Sequence, residues 1–368
     1  MSFLQEFANN PVRIKPAANN FEARFMMNKD RLKQPPNFPQ GRSSLAEKIF
    51  EVSNDLQFNE LALDIFQFQF TNNSIYRTWC KNLSRTPASV KTLSDVPFMP
   101  VEFFKNFSIQ SWKGEPATTF FSSGTTGQIT SKHLVADTYI YEQSLLKGFQ
   151  LEYGDPSDWI IIGLLPAYLE RPGSSLVYMT DILIRESGQQ ESGFYLNNYD
   201  ELLALLTRLK AENRKVWLIG VSFALLDMAE KHPEAWENLV VVETGGMKGR
   251  RKEMIRADLH ETIRTNWNIT RLHSEYGMTE LFSQAWLNDS GRFHLPPWMK
   301  VMIRETDDPF SYAENGKTGG INVVDLANLD SCTFISTSDL GKKHADETFD
   351  VLGRFDHSDV RGCNLMIA

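Results

Sequence analysis

The chain has 368 residues, with 38 Lys and Arg against 46 Asp and Glu, for a net charge of −8 at pH 7. That balance argues against the basic surface that bulk nucleic-acid binding requires, while 42% hydrophobic and 23% charged residues are ordinary for a globular chain with a sizeable core. No apolar run reaches membrane-span length, the start Met1-Ser2-Phe3-Leu4-Gln5-Glu6-Phe7 lacks a signal-peptide pattern, and Cys80, Cys332 and Cys363 are too few and scattered for a disulfide framework or zinc site. A cytoplasmic, reducing location is therefore expected.

In chain order, Pro35-Pro36 and Pro39 mark a turn-rich connection. From 44 to about 83 the apolar residues fall at helical spacing, beginning with Leu45, Ile49, Phe50 and Val52 and continuing through Leu61, Leu63, Ile65 and Phe66. The aromatic residues that follow, Phe68, Phe70, Tyr76 and Trp79, are expected in a core. From about 111, short apolar strands alternate with helices. Strands are predicted over 159–165, ended by Pro166, over 216–220, and from 239 into a turn at Gly245-Gly246. Helices are predicted over 200–209, 225–231 and 252–266. This alternation predicts an α/β domain with mainly parallel sheets. Further strands are predicted at 301–304, 320–324 and 333–336.

Four segments carry candidate chemistry. The first is Ser122-Ser123-Gly124-Thr125-Thr126-Gly127, after Phe120 and Phe121. Hydroxyls and two glycines in so short a run suit a backbone that closes around a phosphate chain; a flexible surface loop is the alternative. The second, Thr244-Gly245-Gly246, follows a buried strand, where a flat ring or phosphate can lie against the backbone, or where the chain simply turns. The third is Ser274-Glu275-Tyr276-Gly277-Met278-Thr279-Glu280. The Thr279 hydroxyl suits a phosphoryl oxygen and the Glu280 carboxylate suits Mg²⁺; the alternative is a helix N-terminus with acidic first-turn residues. The fourth is Ser336-Thr337-Ser338-Asp339-Leu340-Gly341, followed by Gly353-Arg354-Phe355-Asp356. An Asp at a strand end suits two ribose hydroxyls and an Arg nearby suits ribose or phosphate; a surface hairpin is the alternative.

Together these segments resemble the adenylate-forming superfamily of acyl- and aryl-CoA ligases. The Ser-Ser-Gly-Thr-Thr-Gly run is similar to its phosphate loop, and Tyr276-Gly277-Met278-Thr279-Glu280 to its Tyr-Gly-x-Thr-Glu motif. Ser338-Asp339-Leu340-Gly341 resembles the ribose-binding Asp motif, and Gly353-Arg354-x-Asp356 the hinge before the mobile C-terminal domain. Within the superfamily the chain resembles the acyl-protein synthetase family, the fatty-acid-activating component of bacterial luciferase-linked fatty-acid reductase. Val96-Pro97-Phe98-Met99-Pro100-Val101-Glu102-Phe103-Phe104-Lys105 and the tail Asp359-Val360-Arg361-Gly362-Cys363-Asn364-Leu365 carry that narrower likeness. The chain departs from the wider pattern in having Gln128-Ile129-Thr130-Ser131-Lys132 where Pro-Lys is usual, and Tyr168 near the place of the usual His.

The resemblance implies an α/β fold: the large N-terminal-type domain of adenylate-forming enzymes, with mixed parallel sheets, helices and a small β region, lacking most of the mobile C-terminal domain. It implies a helical N-terminal segment over 1–109 packed on the main domain, an adenylate-forming core over 110–352, and a hinge-like tail over 353–368 that holds Cys363. The implied function is ATP-dependent activation of a carboxylic acid, expected to be a fatty acid, to acyl-AMP, then acyl transfer to a protein thiol. ATP and Mg²⁺ are the implied cofactors. Ser122, Ser123, Gly124, Thr125, Thr126, Gly127, Gly245, Gly246, Tyr276, Gly277, Thr279, Asp339 and Arg354 would bind the nucleotide, with Glu280 on the metal. Thr279, Glu280 and Cys363 are the expected catalytic residues, Arg361 lowering the thiol pKa and Gly362 giving it freedom; a spare thiol is the alternative. Tyr168, Phe223, Met247 and His273 are expected to line the acyl pocket. Expected partners are the acid and an acyl-CoA or acyl-protein reductase or carrier protein. The alternatives are transfer to coenzyme A, and a degenerate ligase fold that binds or scaffolds.

Overall fold

The computed structural model describes residues 37–123, 129–166, 173–195, 198–246, 251 and 254–354. Their contacts divide them into two units. One takes Leu145–Tyr276 and Trp286–Gly291; the other takes the described residues up to Ser144, Gly277–Ala285, and those from Arg292 onward.

The first unit is built on five parallel strands. Their order is Gly193–Tyr195, Ile160–Leu164, Val216–Val221, Leu239–Thr244, Leu272–Tyr276. Ile160–Leu164, Val216–Val221 and Leu239–Thr244 are buried along their whole length. That is why they read as continuous apolar runs rather than alternating ones: a parallel sheet is covered on both faces. The helices Ser175–Ser187, Tyr199–Ala211, Ser222–Lys231 and Arg256–Trp267 belong to the same unit. Gly220, the last glycine before the turn into Ser222–Lys231, lets that helix sit close, since a Cβ there would lie 2.7 Å from Leu225. The predicted helix starts at 225 and 252 are displaced to Ser222 and Arg256. The helices Tyr139–Tyr153 and Ser175–Ser187 were not anticipated, although Ser174 caps the latter by accepting from Val177 N and Gly188 ends it at φ 60°.

The second unit begins with helices Arg42–Ile49, Asp55–Asn72 and Ser74–Asn82. The single helical stretch read from the sequence is broken by asparagine caps: Asn54 accepts from Gln57 N and Asn73 from Tyr76 N, both at 3.0 Å. The aromatic cluster is core, with Tyr76 fully buried, edge-on to Phe66 and stacked on Phe334. Antiparallel strands follow in the order Met299–Arg304, Thr318–Asp325, Phe334–Lys343, Phe349–Arg354, Phe293–His294, with Met99–Pro100 pairing in parallel to Phe334–Lys343. The strand predicted to end at 336 instead runs to Lys343, so Asp339 lies within a strand rather than at its end. The apolar pattern that marks a strand stops at Ser336, with Thr337, Ser338 and Asp339 following, and the pairing with Phe349–Arg354 shifts register between Leu340 and Gly341.

A separate hairpin pairs Thr118–Phe121 with Lys132–Val135. No helix among the described residues is long and apolar enough to cross a membrane. The parallel sheet with its helices and the antiparallel β region are the mixed α/β architecture the motifs implied.

Candidate functional site

Ser122 and Ser123, which open the Ser/Thr/Gly run, follow the first strand of that hairpin. Ser122 N donates to Ser131 O at 3.1 Å, and Ser131 N donates to Ser122 Oγ at 2.9 Å, which pins the two ends of the loop together. Ser123 is exposed just beyond the closure. Gly124, Thr125, Thr126 and Gly127 lie outside the described residues.

The Ser131 hydroxyl lies near Glu280 and favours its charged form. Glu280 is only 5% exposed, and burial raises its pKa; the Ser131 hydroxyl and the charges of Lys105 and Arg354 offset part of that rise. A buried carboxylate oxygen donor suits Mg²⁺, which binds through one or two carboxylates and fills its remaining positions with water and phosphate oxygens. Among the described residues no group of three or more His, Cys, Asp or Glu side chains forms a metal cage. The residues present fit a shared, phosphate-borne Mg²⁺ rather than a resident ion.

The backbone carrying Thr279 and Glu280 is held at successive groups. His133 Nδ1 lies 2.9 Å from Thr279 O, and its Nε2 lies 2.8 Å from Ser331 Oγ. Asn328 Nδ2 donates to Glu280 O at 2.7 Å, and Asn328 Oδ1 accepts from Phe282 N at 3.0 Å. Asp325 accepts from Phe282 N and Ser283 N, both at 2.9 Å, and from Ser283 Oγ at 2.6 Å. None of His133, Asn328 or Asp325 stood out in the sequence. The only signal for His133 was its place in the alternating strand shortly after the Ser/Thr/Gly run.

His133 is fully buried between Phe104 and Phe282, the latter stacked on it at 4.6 Å. Burial depresses its pKa from 6.5 to about 4, with the Thr279 carbonyl pulling the other way. The unfolded chain therefore binds a proton that the folded chain refuses between those values. The stability that neutral His133 contributes is full above 6.5 and is lost as pH falls through 4. His133→Phe keeps the ring and removes the titration. Denaturant unfolding at about pH 7.5 and about pH 4.5 is expected to show the wild-type stability falling relative to the variant by about 2–3 kcal/mol. A pH-independent difference between the two proteins would contradict a neutral, buried His133.

Asp339 lies directly opposite Arg354 in the antiparallel register, with Arg354 Nε 4.0 Å from Asp339 Oδ1. The guanidinium is 89% exposed, so this pair contributes little to stability and leaves the charge free for other work. Ser338 Oγ donates to Glu102 at 2.7 Å, which fixes the segment carrying Lys105 beside the strand. Lys105 is thus a cation near Glu280 that the motif reading did not assign.

In the first unit, polar groups gather at the carboxyl ends of adjacent parallel strands, where α/β sheets bind ligands. Gly245 turns the chain with φ 74°, a conformation that favours glycine, and its carbonyl accepts from Ser222 Oγ at 3.3 Å. Gly246 follows it, and Tyr276 closes the neighbouring strand. Ser222 Oγ also donates to Glu243 at 2.9 Å. Burial would raise Glu243, but His260, Arg256 and Ser274 outweigh it and hold the carboxylate below its usual range. Desolvation pushes Glu275 up to about 7, opposed by the Thr244 hydroxyl that donates to it at 2.6 Å and reinforced by the charge of Glu243. Neither carboxylate was assigned a role from sequence.

The structure puts the expected pocket residues in different places. Phe223 is buried in the core of the first unit. His273 stands near the start of the strand Leu272–Tyr276, donating from Nε2 to Asp289 at 3.0 Å and accepting at Nδ1 from Tyr153 at 3.2 Å. Tyr168, Met247 and Cys363 lie outside the described residues. Cys80 and Cys332 are buried, as expected of core thiols, and burial pushes Cys80 up to about 12.

No protein-family model matches the chain, and no curated protein matches it in sequence. Solved structures do match. 2-Hydroxyisobutyryl-CoA ligase in complex with 2-HIB-AMP and CoA in the thioesterification state aligns with TM-score 0.61 at 12% identity, over 84% of this chain and 71% of that one. An open conformation of that ligase aligns at 0.60 and 12%, over 82% and 71%, and its postadenylation state at 0.59 and 13%, over 84% and 70%. The fold is that of the large N-terminal-type domain of adenylate-forming enzymes.

Proposed function

We propose that the chain is an ATP-dependent acid–thiol ligase that activates a carboxylic acid as its acyl-AMP. The observation that carries this reading is the meeting of two motifs distant in sequence: His133, in the strand that follows the loop, bonds the Thr279 carbonyl at 2.9 Å, and the Ser131 hydroxyl favours the charged form of the buried Glu280 carboxylate. A solvated surface loop and an acidic helix start would have no reason to meet in this way.

In the first step a carboxylate oxygen of the acid forms a bond to the α-phosphorus of ATP. The bond from that phosphorus to the bridging oxygen breaks, and pyrophosphate leaves with the electron pair. Two anions must approach, so positioning and charge neutralisation dominate. Ser122, Ser123 and the rest of the loop through Gly127 would hold the leaving pyrophosphate. Thr279 would bond a phosphoryl oxygen, Asp339 would accept from the ribose hydroxyls with Arg354 beside it, and Gly245, Gly246, Tyr276 and Gly277 would take the adenine end. Glu280 would hold Mg²⁺, which when bound supplies positive charge to the phosphates. Lys105 adds a protein cation close to that carboxylate.

In the second step a thiolate attacks the acyl carbonyl and AMP leaves. The reading extends to a fatty acid as substrate, Cys363 as acceptor, and a carrier protein or reductase downstream, as the motif likeness to acyl-protein synthetases suggests. Coenzyme A is the second reading for the acceptor, since the similar ligase was crystallised with CoA.

Acid-dependent ATP–pyrophosphate exchange over a panel of alkanoic, hydroxy and aryl acids tests the first step. Exchange with at least one acid is expected; none with any acid would favour a degenerate fold that only binds. Labelled acid plus ATP is expected to leave a hydroxylamine-sensitive label on the protein. Cys363→Ser should lose the label and keep exchange. A label that survives, or one that appears only on added coenzyme A, would remove Cys363 as acceptor.

A further inference from the structure

We infer that His133 is a positioning residue, which ties the hairpin bearing the phosphate-type loop to the Thr279–Glu280 backbone and so sets the geometry of the MgATP site. This inference rests on the adenylation reading above and adds a residue that the motifs do not contain.

The hydrogen bonds define the role. A carbonyl oxygen can only accept, so the 2.9 Å contact to Thr279 O requires the proton on Nδ1. Nε2 is then bare and accepts from the Ser331 hydroxyl at 2.8 Å. The tautomer is thereby fixed by its two partners. Rotation of the ring is blocked as well, with Phe282 stacked on one side at 4.6 Å and Phe104 edge-on at 5.5 Å.

What His133 joins makes it more than a packing residue. It lies in the strand Lys132–Val135, whose pairing with Thr118–Phe121 continues into the Ser122–Ser131 closure of the loop. Two residues before His133, the Ser131 hydroxyl favours the charged form of Glu280, while His133 itself bonds the preceding carbonyl, that of Thr279. Residues 131 and 133 thus bear on both the carboxylate and the backbone of the motif. Asn328 secures the next carbonyl, that of Glu280, from the opposite direction in sequence. A group that must meet both the loop and Glu280, as the metal-bound phosphates of ATP do in the proposed reaction, would therefore sense His133 without touching it. AMP, which lacks the outer phosphates, would not.

Calorimetric binding of MgATP and of AMP to the full chain tests this. Wild type is expected to bind both. His133→Phe, which keeps the ring stack and deletes both hydrogen bonds, is expected to weaken MgATP about tenfold or more and AMP less than about threefold. His133→Asn, whose amide can still donate towards Thr279, is expected to recover most of the MgATP loss. Ser331→Ala, a milder change should His133→Phe not fold, is expected to weaken MgATP about threefold with AMP unchanged. Nitrogen NMR of the wild-type protein is expected to find a neutral imidazole protonated at Nδ1. MgATP binding by folded His133→Phe that equals wild type, equal weakening of MgATP and AMP, an unchanged MgATP affinity in Ser331→Ala, or an Nε2-protonated ring would each overturn the inference. Failure of wild type to bind MgATP would instead overturn the adenylation reading on which it stands.

Discussion

Replacing Glu280 with Gln is expected to lower acid-dependent ATP–pyrophosphate exchange about 10²–10³-fold while leaving the protein as stable as wild type or more so. The two halves of that expectation come from the same observation. Glu280 is 5% exposed, and burial raises its pKa, so its charged form is disfavoured where it stands. Removing the charge relieves that cost, and glutamine keeps an oxygen for the Ser131 hydroxyl. A carboxylate kept for stability alone would behave in the opposite way, since its loss would leave donors unpaired. The exchange assay and a denaturant titration on the same preparation separate the two. Exchange within about threefold of wild type would show that the charge of Glu280 is not used in the first step, and the assignment of the metal to it would fall.

The largest loss of stability is expected at Asp325. Its carboxylate is fully buried and accepts from Phe282 N, Ser283 N, Ser283 Oγ and Ala327 N, the last at 3.1 Å. Burial still pushes its pKa up to about 6, against the pull of the Ser283 hydroxyl and these N–H groups. Asp325→Ala would leave Ser283 N, Ala327 N and the Ser283 hydroxyl without this acceptor, at about 3–5 kcal/mol in all. Phe282 N would keep Asn328 as its acceptor, at 3.0 Å. Asp325→Asn should cost less, since the amide retains one acceptor oxygen, but its NH₂ would face donors. Urea unfolding monitored by fluorescence gives the difference directly. A loss below about 1 kcal/mol would mean that the segment 281–283 rearranges to find other partners.

The parallel strands of the first unit were legible because burial on both faces removes alternation and leaves bare apolar runs such as Ile160-Ile161-Ile162 and Val240-Val241-Val242. The antiparallel strand Phe334–Lys343 was cut short for the converse reason: after Ser336 no apolar residue appears until Leu340, and local pattern fails where a strand bends through a register shift. Chemistry-bearing motifs were visible as short runs of unusual residue types. Their supports were not, because Asp325 and Asn328 reach Phe282 across 43 and 46 residues, and His133 reaches Thr279 across 146. Such partners carry no local signature, since an Asp in Val-Val-Asp-Leu or a His in Lys-His-Leu-Val looks the same whether its contact is solvent or a carbonyl far along the chain. The buried carboxylates Glu243 and Glu275 were passed over for a similar reason: each adjoins a recognisable motif, and it takes the register of neighbouring strands to bring them together.

The closure between Ser122 and Ser131 makes loop length a matter of face as well as reach. Side chains in the strand Lys132–Val135 point alternately to opposite sides, and His133 serves Thr279 from only one of them. A single-residue insertion or deletion between 122 and 131 that propagated into the strand would turn His133 away and present Lys132 or Leu134 in its place. Changes of two residues would restore the face. Tolerance to length change in this loop should therefore follow parity, a dependence that a freely flexible surface loop would not show.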